Sequence, residues 1–298
     1  MSDPRRAPSV LGVFGPTASG KTAVAEAIAE RVPAGVVSAD SAAVYRGLPI
    51  LTAAPTTAAR LVGFLDLDQE ISVGEYQRLA HAAVDELLAT GVLPLVVGGT
   101  GLYFRAALAE MPIPPPPAPG AREHWERVYD RVGGEVAHAL LSERDPAAAA
   151  HVHPNDRRRV VRALELAEAG YSLRPADPAL WSEQTRHATL VVGLAVPADE
   201  LERRIEARAR EMFERGVEAE VRRALERAPS TTAAKVMGLR EVAELPPDEA
   251  RAEIVRANRR LARYQRKWMR RIPGIIMLRG DRPAGEVADA ILEVARAR

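Results

Sequence analysis

Residues 15–22 read GPTASGKT, a complete G-x-x-x-x-G-K-T loop, placed directly behind the apolar run Val10-Leu11-Gly12-Val13-Phe14 and directly ahead of a helix-forming stretch from Ala23 to Arg31. That context constrains the fold more than the string does. A strand entering such a loop and a helix leaving it make the first half of a parallel βα unit, and the helix amino terminus turns free N–H groups and a positive dipole end into the loop. Gly15 and Gly20 let the backbone approach an anion, with Pro16, Thr17, Ala18 and Ser19 forming the arch between them. Lys21 reaches terminal phosphate oxygens and the Thr22 hydroxyl serves as a ligand for Mg2+. Only three lysines, Lys21, Lys235 and Lys267, occur among 41 basic residues, and one of them occupies this loop. A polyphosphate is the expected ligand, with magnesium as its cofactor.

At 298 residues the chain is long for one domain, which favours a large α/β unit carrying an insertion. Short β-type runs near 9–14, 35–39 and 92–97 alternate with helical patterns over 21–31, 75–90 and 101–109, the signature of a parallel sheet covered by helices. Ser72 is a candidate cap for the second helix and Gly91 its stop. The segment 111–120, MPIPPPPAPG, supports neither helix nor central strand, because its prolines lack donors; it reads as a stiff connector. From 121 to about 170 the pattern is helical, broken at Gly133-Gly134 and Asp145-Pro146. A buried-strand composition returns at 188–196, followed by helices over 199–216, 217–228, 235–244 and 248–272 and a last strand near 274–278. The expected fold is therefore α/β, a P-loop NTPase-like parallel sheet flanked by helices, with an inserted all-helical subdomain. Residues 1–110 and 186–298 form the catalytic core and 121–185 the insertion.

Composition removes several classes. With no cysteine there is no disulfide scaffold and no thiolate metal site. The amino terminus lacks the apolar stretch of a signal peptide and no run of eighteen apolar residues occurs, so a cytoplasmic protein without a membrane span is expected. The net charge of +1 hides two arginine clusters. One is NDRRRVVRALE, with Arg157, Arg158, Arg159 and Arg162 on a helix that Asn155 or Asp156 would cap. The other is ANRRLARYQRKWMRR, in which Arg256, Arg260, Arg263, Lys267 and Arg270 line one helical face. Such stripes are solvated faces or, with guanidinium forks on phosphodiesters and Tyr264 or Trp268 against a base, nucleic-acid surfaces.

In an open α/β sheet, ligands gather at the carboxyl ends of the strands. Besides the phosphate loop, two further strand ends carry chemistry. Ser38-Ala39-Asp40-Ser41 places Asp40 as a general base or a water-bridged magnesium ligand, or as a turn cap. Gly98-Gly99-Thr100-Gly101 offers backbone groups and the Thr100 hydroxyl to a substrate. These residues alone suit a small-molecule kinase using ATP, and the arginine clusters also suit a non-enzymatic RNA-binding protein.

Beyond single motifs, the chain resembles the tRNA dimethylallyltransferases, or tRNA isopentenyltransferases. The resemblance runs in order through GPTASGKT, SADSAAVYRGLPI, the segment 96–108, HPNDRRRVVRALE, RIEARAREM and NRRLARYQRKWMRR. It implies transfer of a dimethylallyl group from dimethylallyl diphosphate to the exocyclic N6 amine of the adenosine 3′-adjacent to the anticodon of tRNA, with diphosphate released. It further implies that residues 15–22 and Arg208 hold diphosphate in place of ATP. Asp40 would then be the general base, with Lys21 and Thr100 completing the catalytic set. By the same resemblance the tRNA anticodon stem-loop meets Asp40, Ser41, Ala42, Ala43 and Thr100 in the cleft, and Arg122, Arg157, Arg158, Arg159, Val160 and Val161 in the insertion. A monomer is expected. The chain departs from the family pattern at Ala43, where glutamine is usual, at Leu51-Thr52-Ala53-Ala54-Pro55, where G-T-A-K-P is usual, and near Val62-Gly63, where a His-His pair is usual.

Overall fold

The computed structural model describes residues 8–55, 58–173 and 183–298. The first seven residues and 174–182, at the end of the expected insertion, lie outside it. Two compact units are resolved, Met1–Glu110 with Glu183–Arg298, and Met111–Ser182. The second unit starts at Met111, so it includes the proline-rich segment that the sequence suggests is only a connector.

The first unit is built on strands β1 (Val10–Phe14), β2 (Ala34–Ala39), β3 (Ala59–Arg60), β4 (Leu93–Gly98), β5 (Thr189–Ala195) and β6 (Ile276–Arg279). They form one sheet in the order β3-β2-β4-β1-β5-β6, parallel at every pairing. Helices cover both faces, which is why the central strands are apolar without alternation. Leu11 and Val13 of β1 pack with Leu95, Leu190 and Val192 against helices α1 (Lys21–Ala29) and α12 (Ala284–Arg296). On the opposite face Phe14 meets Phe104 of α3 (Gly101–Leu108) edge-on, with ring centroids 5.1 Å apart. Gly12 is required there, because a Cβ would lie 2.8 Å from the Phe104 ring. Helix α2 (Val73–Ala89) starts on a capping box in which Ser72 and Glu75 satisfy each other's N–H groups.

Two elements of this unit are not expected from the sequence. β3 is only two residues long and half-buried, so it carries no alternation to read. α12 does carry a helical signal, since Val287, Ala288, Ile291 and Leu292 repeat at helical spacing on its buried side. The expected helix over 235–244 is split at Gly238, whose φ of +89° is left-handed, leaving α10 as Leu239–Glu244. A further apolar cluster joins α8 (Ala198–Glu214), α9 (Val217–Ala224), α10 and α11 (Pro247–Met269) to residues 44–51. Within it the buried Glu220 carboxylate accepts from Ile50 N–H at 2.8 Å and Leu51 N–H at 2.7 Å. That fork fixes the loop that continues to Thr52.

The second unit packs α4 (Ala121–Val132), α5 (Gly134–Arg144), the single turn α6 (Pro146–Ala149) and α7 (Arg157–Glu168) around Trp125, Leu141, Val160, Val161 and Leu164. The breaks fall at the expected residues. Gly133 turns the chain with φ +80°, and the Asp145 side chain caps α6 by accepting from Ala148 N–H. Asp156 caps α7. The fully buried Glu165 carboxylate is shared by Arg122 and Arg162, each at 2.9 Å, and Arg162 also donates to the Pro115 carbonyl, tying the proline segment to α7.

Candidate active site

The three strand-end segments meet at one edge of the sheet. Gly15 N–H points at the Gly98 carbonyl across 3.4 Å, and Thr100 N–H at the Ala39 carbonyl across 3.4 Å. Ser41 N–H donates to Thr100 Oγ1 at 3.3 Å. The junction is too tight for side chains: a Cβ on Gly98 would lie 2.2 Å from the Ala39 carbonyl oxygen. Parallel pairing of β2 and β4 through Ala39 and Gly98 thus brings residues 40 and 100 together although sixty positions separate them.

In the phosphate loop Ala18 has φ +61° and Gly20 φ +88°, so the arch is drawn through the left-handed region twice. Gly20 is the N-cap of α1 and has no side chain to cap the helix, which leaves the amino-terminal N–H groups facing the loop. Ser19 is 1% exposed and its hydroxyl has no hydrogen-bond partner among the described residues. A buried hydroxyl without a partner is an unsatisfied donor within the phosphate loop. Lys21 Nζ donates to the Pro16 carbonyl at 2.8 Å, folded back across its own loop.

The electrostatics of this edge follow from burial. Desolvation lowers the Lys21 pKa from 10.5 to about 8; Asp40 counters the fall and Arg208 adds to it. Arg208 is likewise held below its ordinary value by burial, with Asp40 again the main counterweight. Its guanidinium reaches Thr17 Oγ1 and the Thr52 carbonyl, each at 3.3 Å. Two strained cations beside one carboxylate make a site that gains when a polyanion arrives. Asp40 Oδ1 accepts from Ala42 N–H at 2.9 Å, so the carboxylate does cap its own turn, while Lys21, Thr22 and Asp40 line a common cavity of about 60 Å3. Behind it, Tyr76 donates to the Ser38 carbonyl at 2.8 Å and stacks on Tyr103 at 4.1 Å, a rigid floor under the end of β2. Burial pushes the Tyr103 hydroxyl up to about 12.

No cluster of three or more acidic, histidine or cysteine side chains suited to holding a metal occurs among the described residues. The side-chain oxygens at the cavity include the carboxylates of Asp40 and Glu26 and the hydroxyls of Thr22, Ser38 and Thr52. This set fits a hard cation that shares its shell with phosphate oxygens and water, as magnesium does, and does not fit a cation caged by protein alone.

The remaining sequence-derived residues divide by unit. Ala42 and Ala43 follow Asp40, and Ala43 is buried at 3% exposure on the cavity wall. In the second unit Val160 and Val161 are core residues, 0% and 3% exposed, so their side chains offer nothing to a surface ligand. Arg122 is paired with buried Glu165, and Arg157 forks onto Asp130 and Glu126. Arg158 and Arg159 are exposed, and among the described residues only Arg159 of the two has an acidic neighbour, Asp156 at 3.5 Å. On α11 the stripe Arg256, Arg260, Arg263, Lys267 and Arg270 is exposed as its spacing suggests, with Arg256 paired to Glu253. Tyr264 is 58% exposed, whereas Trp268 lies over Gly101.

Two polar residues at the site escape the sequence reading. Gln265 and Asn258 of α11 both reach Thr17, the first at 2.7 Å and the second at 3.4 Å. Their signal was available. A glutamine within the buried face formed by Ile254, Ala257, Ala262 and Met269 is a polar group that must find partners.

An IPP transferase family model matches residues 43–272. The chain is 39% identical to a tRNA dimethylallyltransferase of Kineococcus radiotolerans over 96% of this chain and 94% of that one. It is 40% identical to a tRNA dimethylallyltransferase of Streptomyces coelicolor over 94% and 93%. Among solved structures, a tRNA isopentenylpyrophosphate transferase of Bacillus halodurans superposes with a TM-score of 0.67 at 28% identity, over 98% of each chain. A eukaryotic dimethylallyltransferase acting on tRNA shares the fold with a TM-score of 0.78 at 22% identity, over 97% of this chain and 79% of that one. The family match runs from the cavity wall at Ala43 through the helix that carries Gln265, and the two relatives match over 94% or more of the chain; the chain belongs to the IPP transferase family.

Proposed function

We propose that the protein transfers a dimethylallyl group from dimethylallyl diphosphate to the N6 amine of the adenosine 3′-adjacent to the anticodon of tRNA. The observation that carries this reading is the single cavity onto which Lys21 and Thr22 of the phosphate loop and Asp40 across the sheet edge all open. The amine nitrogen forms a bond to C1 of the donor as the C1–O bond breaks, and the electron pair leaves with diphosphate. An allylic carbon ionises readily once negative charge on the leaving group is stabilised, so the main electrostatic task falls to Lys21, Arg208, the hydroxyls of Ser19 and Thr22, and the α1 N–H groups. Lys21, lowered by burial to about 8, holds its proton more firmly once the anion seats. Asp40 accepts the proton that the amine loses, and Thr100, bonded to Ser41 N–H, holds the turn that presents that carboxylate. Thr22 would hold magnesium, which when bound would supply further charge neutralisation for the leaving group. The adenine must leave its stack to reach the cavity, as in other base-modifying enzymes. The anticodon stem-loop would rest against Arg158 and Arg159, with backbone charge setting salt-sensitive affinity.

The test is incubation of the purified protein with dimethylallyl diphosphate, magnesium and unmodified tRNA, followed by mass spectrometry of the anticodon-loop nucleosides. N6-dimethylallyladenosine and equimolar diphosphate are expected without any consumption of ATP. Phosphoryl transfer from ATP, with no prenylated nucleoside, would reject the reading in favour of a kinase.

A further inference from the structure

Gln265 is 6% exposed, and both ends of its carboxamide are engaged in the site. Oε1 accepts from Thr17 N–H in the phosphate loop at 2.7 Å, and Nε2 donates to the Gly99 carbonyl in the glycine turn at 3.0 Å. A primary amide donates and accepts from the same planar group, so one side chain can join two loops that each present a single backbone partner. The direct link between those loops, from Gly15 N–H to the Gly98 carbonyl, is the longer one at 3.4 Å. The fit leaves no slack. A Cβ on Gly99 would lie 2.4 Å from Gln265 Nε2 and 2.8 Å from the Gly15 carbonyl oxygen, so glycine at 99 is what admits the amide. One turn further along α11, Trp268 covers Gly101 so closely that a Cβ there would lie 2.2 Å from the indole. Thr17 is held from its other side by Arg208, at 3.3 Å from its hydroxyl.

From this geometry we infer that Gln265 is a positioning residue for group transfer. It couples the phosphate loop to the glycine turn, so that an anion tightening the first loop sets the second, with Thr100 and its neighbour Asp40, at the separation the reaction needs. Because Thr17 N–H is committed to Gln265, the anion is cradled by the later N–H groups of the loop, and Thr17 transmits its position instead of binding it. The inference rests on the transferase reading above.

Two substitutions test it. Gln265→Met keeps the length and removes both bonds; Gln265→Glu keeps the acceptor for Thr17 but, when ionised, sets a carboxylate against the Gly99 carbonyl. Protonation returns a donor to that carboxyl group, and burial raises the pH at which this happens. For transfer from dimethylallyl diphosphate to tRNA, the expected result is a KM for the donor within about threefold of the parent and a kcat lowered about ten- to a hundredfold in both variants at pH 8. As the pH falls to 5.5, kcat relative to the parent should recover in Gln265→Glu and not in Gln265→Met. Parental kcat in both variants, or an equal and pH-independent loss in both, would overturn the inference. A second arm does not depend on turnover: amide hydrogen exchange with inorganic diphosphate as the probe. The parent should gain protection in residues 15–22 and 98–101 together, and Gln265→Met in 15–22 alone. Equal protection of both segments in Gln265→Met would refute the coupling. A parent that shows coupled protection but transfers no prenyl group would instead refute the transferase reading.

Discussion

Replacing Lys21 with methionine should make the ligand-free protein more stable while abolishing its anion affinity. The burial that lowers this lysine from 10.5 to about 8 is a cost carried by the fold. At ~1.4 kcal/mol per pH unit, the difference amounts to about 3 kcal/mol at pH 7, where Lys21 is charged in both folded and unfolded chains. Methionine keeps the methylenes and gives up the bond to the Pro16 carbonyl, a loss of about 1 kcal/mol. The net gain of about 2 kcal/mol corresponds to a melting temperature higher by roughly 3 °C. The sign of the pH dependence is fixed. Between about 8 and 10.5 the unfolded chain binds the lysine proton and the folded chain does not, so parental stability rises with pH across this window relative to the variant. By pH 10 the remaining cost is under about 1 kcal/mol and the two proteins should melt together. Diphosphate should raise the melting temperature of the parent and leave that of the variant unmoved. The assay is thermal unfolding of both proteins at pH 7 and pH 10, with and without diphosphate. A variant that melts at or below the parent at pH 7 without ligand would show that Lys21 is not held in a desolvated site, and the account of a cradle primed by burial would fail.

Asp40→Asn should retain tRNA affinity and lower turnover about a hundredfold or more; because the Asp40 charge sustains the Lys21 proton, the pH at which diphosphate affinity declines should also move downward. Single-turnover kinetics and a calorimetric pH series check both parts, and unchanged turnover would remove Asp40 from proton transfer. Arg158→Ala and Arg159→Ala should each weaken tRNA binding and reduce its salt slope by about 1. Arg157→Ala, which breaks the fork to Asp130 and Glu126, should instead lower thermal stability with a smaller change in slope. A uniform effect at the three positions in filter binding across salt concentrations would contradict this division.

Much of the site can be read in the chain because its parts are local. A phosphate loop needs a strand, a turn with glycines at defined positions and a helix start, all within residues 10–29, and the structure places these elements there. The helical breaks at Gly133 and at Asp145-Pro146, and the cap at Ser72, depend on one or two residues each and are legible for the same reason. Elements without local periodicity, such as the two-residue strand at Ala59, leave no such trace.

By itself, then, the sequence determined the βα entry, the anion loop, the order of apolar strands and the helical character of the second unit, since each depends on near neighbours and on side-chain period. Tertiary structure alone decided which distant groups share a wall. The pairing of β2 with β4 set Asp40 beside Thr100, and the packing of α8 and α11 brought Arg208 to the phosphate loop and aimed Gln265 at two loops. It also divided the arginine run into residues tied to acids and residues left outward, a distinction that one-dimensional spacing cannot make because ion pairs form across helices. Desolvation and hydrogen bonding are properties of a packed volume, and no stretch of neighbouring residues encodes them alone.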